Sequence, residues 1–117
     1  MIKKTINELN ELELAVLDWI SENTSNRALK SQLKTATLKK RSWTKVGFHV
    51  DIAVDRDCAE IDVKFPIQGP SIESPDIEHG GLSWLWGNLG YVDSIELVAY
   101  GSYFNEGIRQ FTLSERL

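Results

Sequence analysis

The sequence predicts an α+β domain, with N-terminal helices packed on one face of an antiparallel sheet of five or six strands. Three observations carry this. Apolar residues recur at three- and four-residue steps only before Ala36, and alternate singly afterwards. The alternating runs are joined by short polar or glycine-bearing turns, the spacing of hairpins. Helices first and strands later is the order of an α+β fold, not of a wound parallel sheet.

The first helix is expected over residues 5–22. Thr5 and Glu8 have the spacing of a capping box, and Ile6, Leu9, Leu12, Val16, Trp19 and Ile20 form one apolar stripe. Glu8, Glu11 and Asp18 fall mostly on the opposite face, with acids in the first turns where the helix dipole favours them. The polar cluster 21–26 ends it. Ser25 or Asn26 caps a shorter helix over Arg27–Thr35, with Leu29 and Leu33 as its apolar pair.

From Ala36 the chain turns extended. Thr37–Thr44 reads as a strand, Lys45-Val46-Gly47 as a turn or bulge, and Phe48, Val50, Ile52 and Val54 alternate with polar neighbours on a half-buried strand. Ala59, Ile61, Val63 and Phe65 suggest its hairpin partner. Residues 66–79 hold all three prolines and read as a crossing loop. A second hairpin follows, with Leu82, Trp84 and Trp86 on one strand and Ile95, Leu97 and Ala99 on the next, joined by a Gly-Asn-Leu-Gly turn. Its two tryptophans place it in the middle of the core. The first helix is expected to pack on Phe48, Val50, Ile52 and on Trp84 or Leu85. Ser102–Gly107 reads as a turn, and Ile108, Phe111 and Leu113 as a short terminal strand.

The 117 residues suit one domain spanning 1–117. No apolar run reaches the roughly 20 residues that span a bilayer, and the start of the chain has no signal-peptide core. The lone Cys58 rules out an internal disulfide framework and fits a reducing compartment, so a cytoplasmic location is expected. Net charge is −4. It is unevenly spread: Arg27, Lys30, Lys34, Lys39, Lys40, Arg41 and Lys45 stand in a segment without acids, and the rest of the chain is acidic. An acidic chain lacks the basic footprint of a nucleic-acid module, so the basic segment reads as a solvated helix face and a charge-protected edge strand.

Catalytic chemistry has little support. Two histidines and one cysteine do not make a structural zinc set, there is no nucleophile elbow, and Gly80-Gly81 is too short to cradle phosphate. No catalytic residue, metal or cofactor is expected. The suggestive feature is acidity. Asp55, Asp57 and Glu60 sit in or beside one polar turn, and Glu73, Asp76, Glu78 and His79 in the proline-bearing stretch. These seven are the expected contacts for a protein partner, since an acidic surface steers a basic one. An alternative is a small enzyme or ligand-binding domain built on His49 with Asp51, or on Glu78 with His79. A self-associating structural protein is the third reading.

Arg41, Val46-Gly47-Phe48, His79-Gly80-Gly81, Leu89-Gly90, Ile95-Glu96 and Tyr100-Gly101 together resemble small bacterial α+β proteins with a Gly-Phe turn into a strand and a Gly-Gly-led hairpin ending in Leu-Glu or Ile-Glu. The resemblance spans roughly residues 25–103. Lys45 stands where a glycine is common in that group, and the Trp-Pro that often follows the second strand is absent. Some of these proteins resemble immunity proteins of secreted antibacterial toxins, including contact-dependent growth-inhibition systems. The resemblance therefore implies a non-enzymatic, cytoplasmic binding protein whose partner is a basic toxin domain, nucleases being one such class, with neither nucleic acid nor membrane as its own ligand.

Overall fold

The computed structural model describes residues 8–101, 104, 108 and 110–116. Its elements are α1 (Glu11–Glu22), α2 (Arg27–Lys34), β1 (Thr37–Trp43), β2 (Gly47–Ala53), β3 (Ile67–Ser74), β4 (Ile77–Asn88), β5 (Tyr91–Ala99) and β6 (Thr112–Ser114). The six strands form one antiparallel sheet in the order β1-β2-β5-β4-β3-β6, with both helices on one face. The expected fold class is the observed one.

The first helix starts later than its pattern suggested. Asn10, not Thr5, is the N-cap: its Oδ1 accepts from the Glu13 N–H at 2.8 Å, and Glu13 Oε1 accepts from the Asn10 N–H at 2.8 Å. Glu8 and Leu9 precede the helix, and Thr5 and Ile6 lie outside the described residues. Glu13 wins because it has a second task. It is 1% exposed and takes two hydrogen bonds, each 2.6 Å, from the Arg41 guanidinium on β1. One carboxylate thus caps α1 and anchors it to the sheet edge. The second helix is as expected, with Asn26 accepting from the Leu29 N–H at 2.9 Å.

Leu12, Val16, Leu17 and Ile20 of α1, with Leu29 and Leu33 of α2, bury against Val50, Ile52, Ile72, Leu85, Ile95 and Leu97. Gln32 lies within this layer, fully buried and fully used. Its Nε2 donates to the Ala59 and Gly90 carbonyls, and its Oε1 accepts from the Val92 N–H. Those bonds fix the irregular segment after β2 and the β4–β5 turn to α2.

Two expected strand assignments are corrected. Residues 59–65 form no strand, because β2 already has β1 on one edge and β5 on the other. With no edge to pair with, the segment crosses the end of the sheet, where Ile61 is buried and its N–H bonds the Gly90 carbonyl. Residues 66–79 are not a loop but the whole of β3, a tight turn, and the start of β4. Pro70 is tolerated in β3 because the pairing with β4 is irregular between Gln68 and Ser71. Pro75 sits in the turn. β6 realises the terminal strand over Thr112–Ser114, and the turn expected over Ser102–Gly107 falls almost wholly outside the described residues.

The largest correction concerns the tryptophan hairpin. It forms as expected about Leu89 and Gly90, which hold the left-handed φ values of 53° and 86° that a two-residue turn demands. The pairing then slips: Gly87 faces Val92, but Trp86 faces Ser94, leaving Asp93 as a bulge. Without it Trp84 would oppose Ile95. With it Leu85 opposes Ile95 and Ser83 opposes Leu97. One extra residue thus swaps the faces of β4 relative to the apolar set of β5. The helix side receives Gly81, Ser83 and Leu85, and Leu82, Trp84 and Trp86 turn outward. Space demands this arrangement. At Gly69, beside Ser83, an added Cβ would meet Ser83 Oγ at 2.3 Å and Ile20 Cδ1 of α1 at 3.4 Å. No tryptophan fits there.

Candidate functional site

The outward face of the sheet is the candidate site. Cross-strand register lines its side chains in rows: His49, Glu96, Trp84 and Gln68 in one, with Asp51, Ser94 and Trp86 beside it and Val98, Leu82 and Ser71 on the other flank. Leu82, Trp84, Trp86 and Val98 make a contiguous apolar stripe over β4 and β5, at the middle of the sheet. Trp86 is 37% exposed, and its indole N–H donates to Glu96 Oε1 at 3.0 Å.

Arg116, just after β6, lies over this face with its guanidinium carbon 4.1 Å from the centre of the Trp84 ring. Its Nη2 donates to the Ser83 carbonyl, next to the β3 irregularity where Pro70 brings no N–H. The Nε is buried without a hydrogen-bond partner among the described residues. Burial lowers the pKa of this guanidinium from its ordinary value, partly opposed by Tyr100, and it stays cationic at neutral pH.

A shallow depression flanks the stripe at each end. One, about 590 Å³, is lined by Glu73, Glu78, His79, Leu82, Tyr100 and Glu115 among others. The other, about 550 Å³, is lined by Lys39, His49, Asp51, Arg56, Asp93 and Ser94 among others.

The seven expected contact residues do not form one patch. Asp55, Asp57 and Glu60 follow β2 near the β4–β5 turn; Glu73, Asp76, Glu78 and His79 lie around the β3–β4 turn at the opposite end. From Glu78 to Gly87 is nine residues of extended β4, about 30 Å at the usual strand rise. The Asp55 carboxylate also shapes its own loop by accepting from the Asp57 N–H at 2.9 Å, while Ser74 Oγ accepts from the Asp76 N–H. Tyr91, which donates to the Arg56 and Cys58 carbonyls and stacks under Arg56, fixes the first loop further.

Of the alternative pairs, His49 Nε2 stands 3.2 Å from Asp51 Oδ1, and His79 Nε2 stands 3.9 Å from Glu78 Oε1. Each pair borders one depression, and both are open to water. Among the described residues no group of three or more His, Cys, Asp or Glu could hold a metal ion, and no helix is long and apolar enough to cross a membrane.

Sequence reasoning found the acidic ends and missed the face between them. It read the tryptophan stripe as core, and only the bulge at Asp93 reverses that. The signal available was the complementary set of β4: Gly81 and Ser83 are small enough to lie under a helix, and tryptophan is not. No family model matches the sequence, and no curated protein or solved structure matches it significantly. What can be said of function therefore rests on the residues and the geometry.

Proposed function

We propose that this chain is an immunity-type binding protein, neutralising a cognate secreted antibacterial toxin in the cytoplasm by covering it, without catalysis or cofactor. The observation that carries the reading is the charge of the sheet's larger half. Residues 67–101, which contain β3, β4 and β5, hold Glu73, Asp76, Glu78, Asp93 and Glu96 and no lysine or arginine. The depression at the β3–β4 end gathers Glu73, Glu78 and Glu115 beside the exposed Tyr100. Carboxylates around an exposed aromatic suit the lysines and arginines that a nuclease uses on its substrate, and such charge steers association. The resemblance of Val46-Gly47-Phe48 and the Gly80-Gly81-led hairpin to immunity-related proteins supports the same reading.

The test is co-expression with the toxin domain encoded by the neighbouring reading frame. Protection of the host, lost when Glu73, Asp76 and Glu78 or Asp55, Asp57 and Glu60 are changed to their amides, supports the proposal and says which end makes contact. A neighbour without toxicity, or protection indifferent to both sets, overturns it. A small enzyme or ligand-binding domain is the second reading, favoured by the depressions at His49/Asp51 and Glu78/His79. It predicts that His49→Ala or His79→Ala abolishes function while the amide set at Asp55, Asp57 and Glu60 leaves it intact.

A further inference from the structure

One cation is out of keeping with its surroundings. Residues 67–101 carry five acids and no lysine or arginine, yet Arg116 lies over the outward face of this half of the sheet. Its guanidinium carbon stands 4.1 Å from the centre of the Trp84 ring, and its Nη2 donates to the Ser83 carbonyl. That carbonyl is beside the β3 irregularity, where Pro70 has no N–H to give. In register, Trp84 is flanked by Glu96 on β5 and Gln68 on β3. An aromatic face, a strand carbonyl within reach and a carboxylate alongside suit a planar guanidinium. A lysine ammonium would use the charge but not the plane.

Arg116 fills this site poorly. Its Nε is buried with no hydrogen-bond partner, and no carboxylate pairs with the charge among the described residues. A buried donor without an acceptor offsets much of what the stack contributes. The residue is also lightly held. It follows β6, a strand of three residues, and borders a depression of about 270 Å³ lined by Trp19, Asn23, Gln68, Gly69 and Glu115. That space gives the side chain room to swing aside, at an edge with little pairing to break.

We propose that the Trp84 ring and the Ser83 carbonyl form an arginine-reading site, occupied by Arg116 in the free chain and taken over by an arginine of the basic partner on association. The inference rests on the binding reading above, and adds the side chain that is recognised and the residue that must move. Exchange is favourable on three counts. The incoming cation meets a half-sheet that is otherwise acidic. Entering from the open side, it keeps its Nε in water or bonded to its own chain. Arg116, once released, regains its hydration.

Two measurements on the full chain test this, each variant being checked for fold by circular dichroism. In the first, the indole N–H signals of Arg116→Ala are followed by nuclear magnetic resonance as N-acetyl-arginine amide is added. The Trp84 signal is identified by its loss in Trp84→Phe. It is expected to shift with a Kd on the order of 10 mM. N-acetyl-lysine amide binds at least about fivefold more weakly, and so does the arginine amide to the parent chain, where Arg116 competes. No shift, or an equal response to the two amides, overturns the proposal.

In the second, calorimetry is carried out with the toxin domain encoded beside the chain. Arg116→Ala binds it about tenfold more tightly than the parent, Trp84→Leu about tenfold more weakly, and adding Arg116→Ala to Trp84→Leu brings no tightening. Arg116→Lys keeps the charge and loses the planar stack; it shifts affinity in the same direction, and stands in for Arg116→Ala where that variant does not fold. An affinity indifferent to both Arg116 and Trp84 overturns the proposal and leaves the binding reading standing. A chain that takes the arginine amide but binds no toxin domain overturns that reading and supports the site.

Discussion

Replacing Arg41 by methionine should cost this protein a large share of its stability, through the carboxylate left behind. Glu13 is 1% exposed and is held by two Arg41 hydrogen bonds of 2.6 Å and one Asn10 N–H at 2.8 Å. Removing one partner of a buried ion pair costs about 3–5 kcal/mol, mostly as the penalty of the uncompensated charge. The Arg41 side chain is 30% exposed, so water can reach the vacated side, and the expected cost falls to about 2–4 kcal/mol. For a domain of this size that is about 10–20 °C in Tm. Glu13→Gln keeps a neutral acceptor for the Asn10 N–H and lets Arg41 turn to water, so it costs less, about 1–2 kcal/mol. The pair is therefore non-additive: in urea denaturation the double variant Glu13→Gln/Arg41→Met should be no less stable than Arg41→Met alone. A cost below about 1 kcal/mol for Arg41→Met, or additivity within about 0.5 kcal/mol, would refute the dual role given to Glu13.

Three further outcomes follow from the packing, each read from urea unfolding curves. Leu85→Ala, at a fully buried position, should lose about 2–5 kcal/mol, whereas Trp86→Ala next to it should lose about 1 kcal/mol or less; the reverse order would mean that the strand faces have been assigned backwards. Gln32→Leu strands the Ala59 and Gly90 carbonyls and the Val92 N–H, and should cost about 2–4 kcal/mol; a neutral result would show that water replaces the side chain. Gly47→Ala places a Cβ 1.8 Å from the Leu97 carbonyl oxygen on the neighbouring strand, and should cost at least about 3 kcal/mol or prevent folding; wild-type stability would contradict the β2–β5 register.

The architecture was legible because local and global signals agree along most of the chain. Asn26 caps α2, Leu29 and Leu33 bury, and the Leu89-Gly90 turn closes its hairpin, all on short-range chemistry. What was illegible depends on partners distant in sequence. Thr5 and Glu8 have as good a capping spacing as Asn10 and Glu13, and only Arg41 on β1 decides between them. The alternation of Ile61, Val63 and Phe65 is genuine, but a strand needs an edge, and β5 had taken the one on β2. The prolines of residues 66–79 argue against a strand until the β3 irregularity receives Pro70. The candidate site was half legible. Acidity shows in composition, but the sequence does not say that Asp55 and Glu78 lie at opposite ends. Nor does alternation say which way a strand faces once a single residue, Asp93, bulges.

That bulge changes what the tryptophans are for. Inside the core, Trp84 and Trp86 would have been scaffold. On the outside, with Glu96 fixing one indole and Arg116 stacked on the other, they form the middle of the sheet face that, among the described residues, no helix covers, between two charged ends.

The most direct test is calorimetric titration of the purified chain with the toxin domain encoded beside it. The account predicts saturable binding of one toxin domain per chain, with a Kd on the order of nanomolar or tighter, weakened at least about tenfold when the acids of one end are changed to amides. The absence of saturable heat, or an affinity unmoved by neutralising either end, would contradict it.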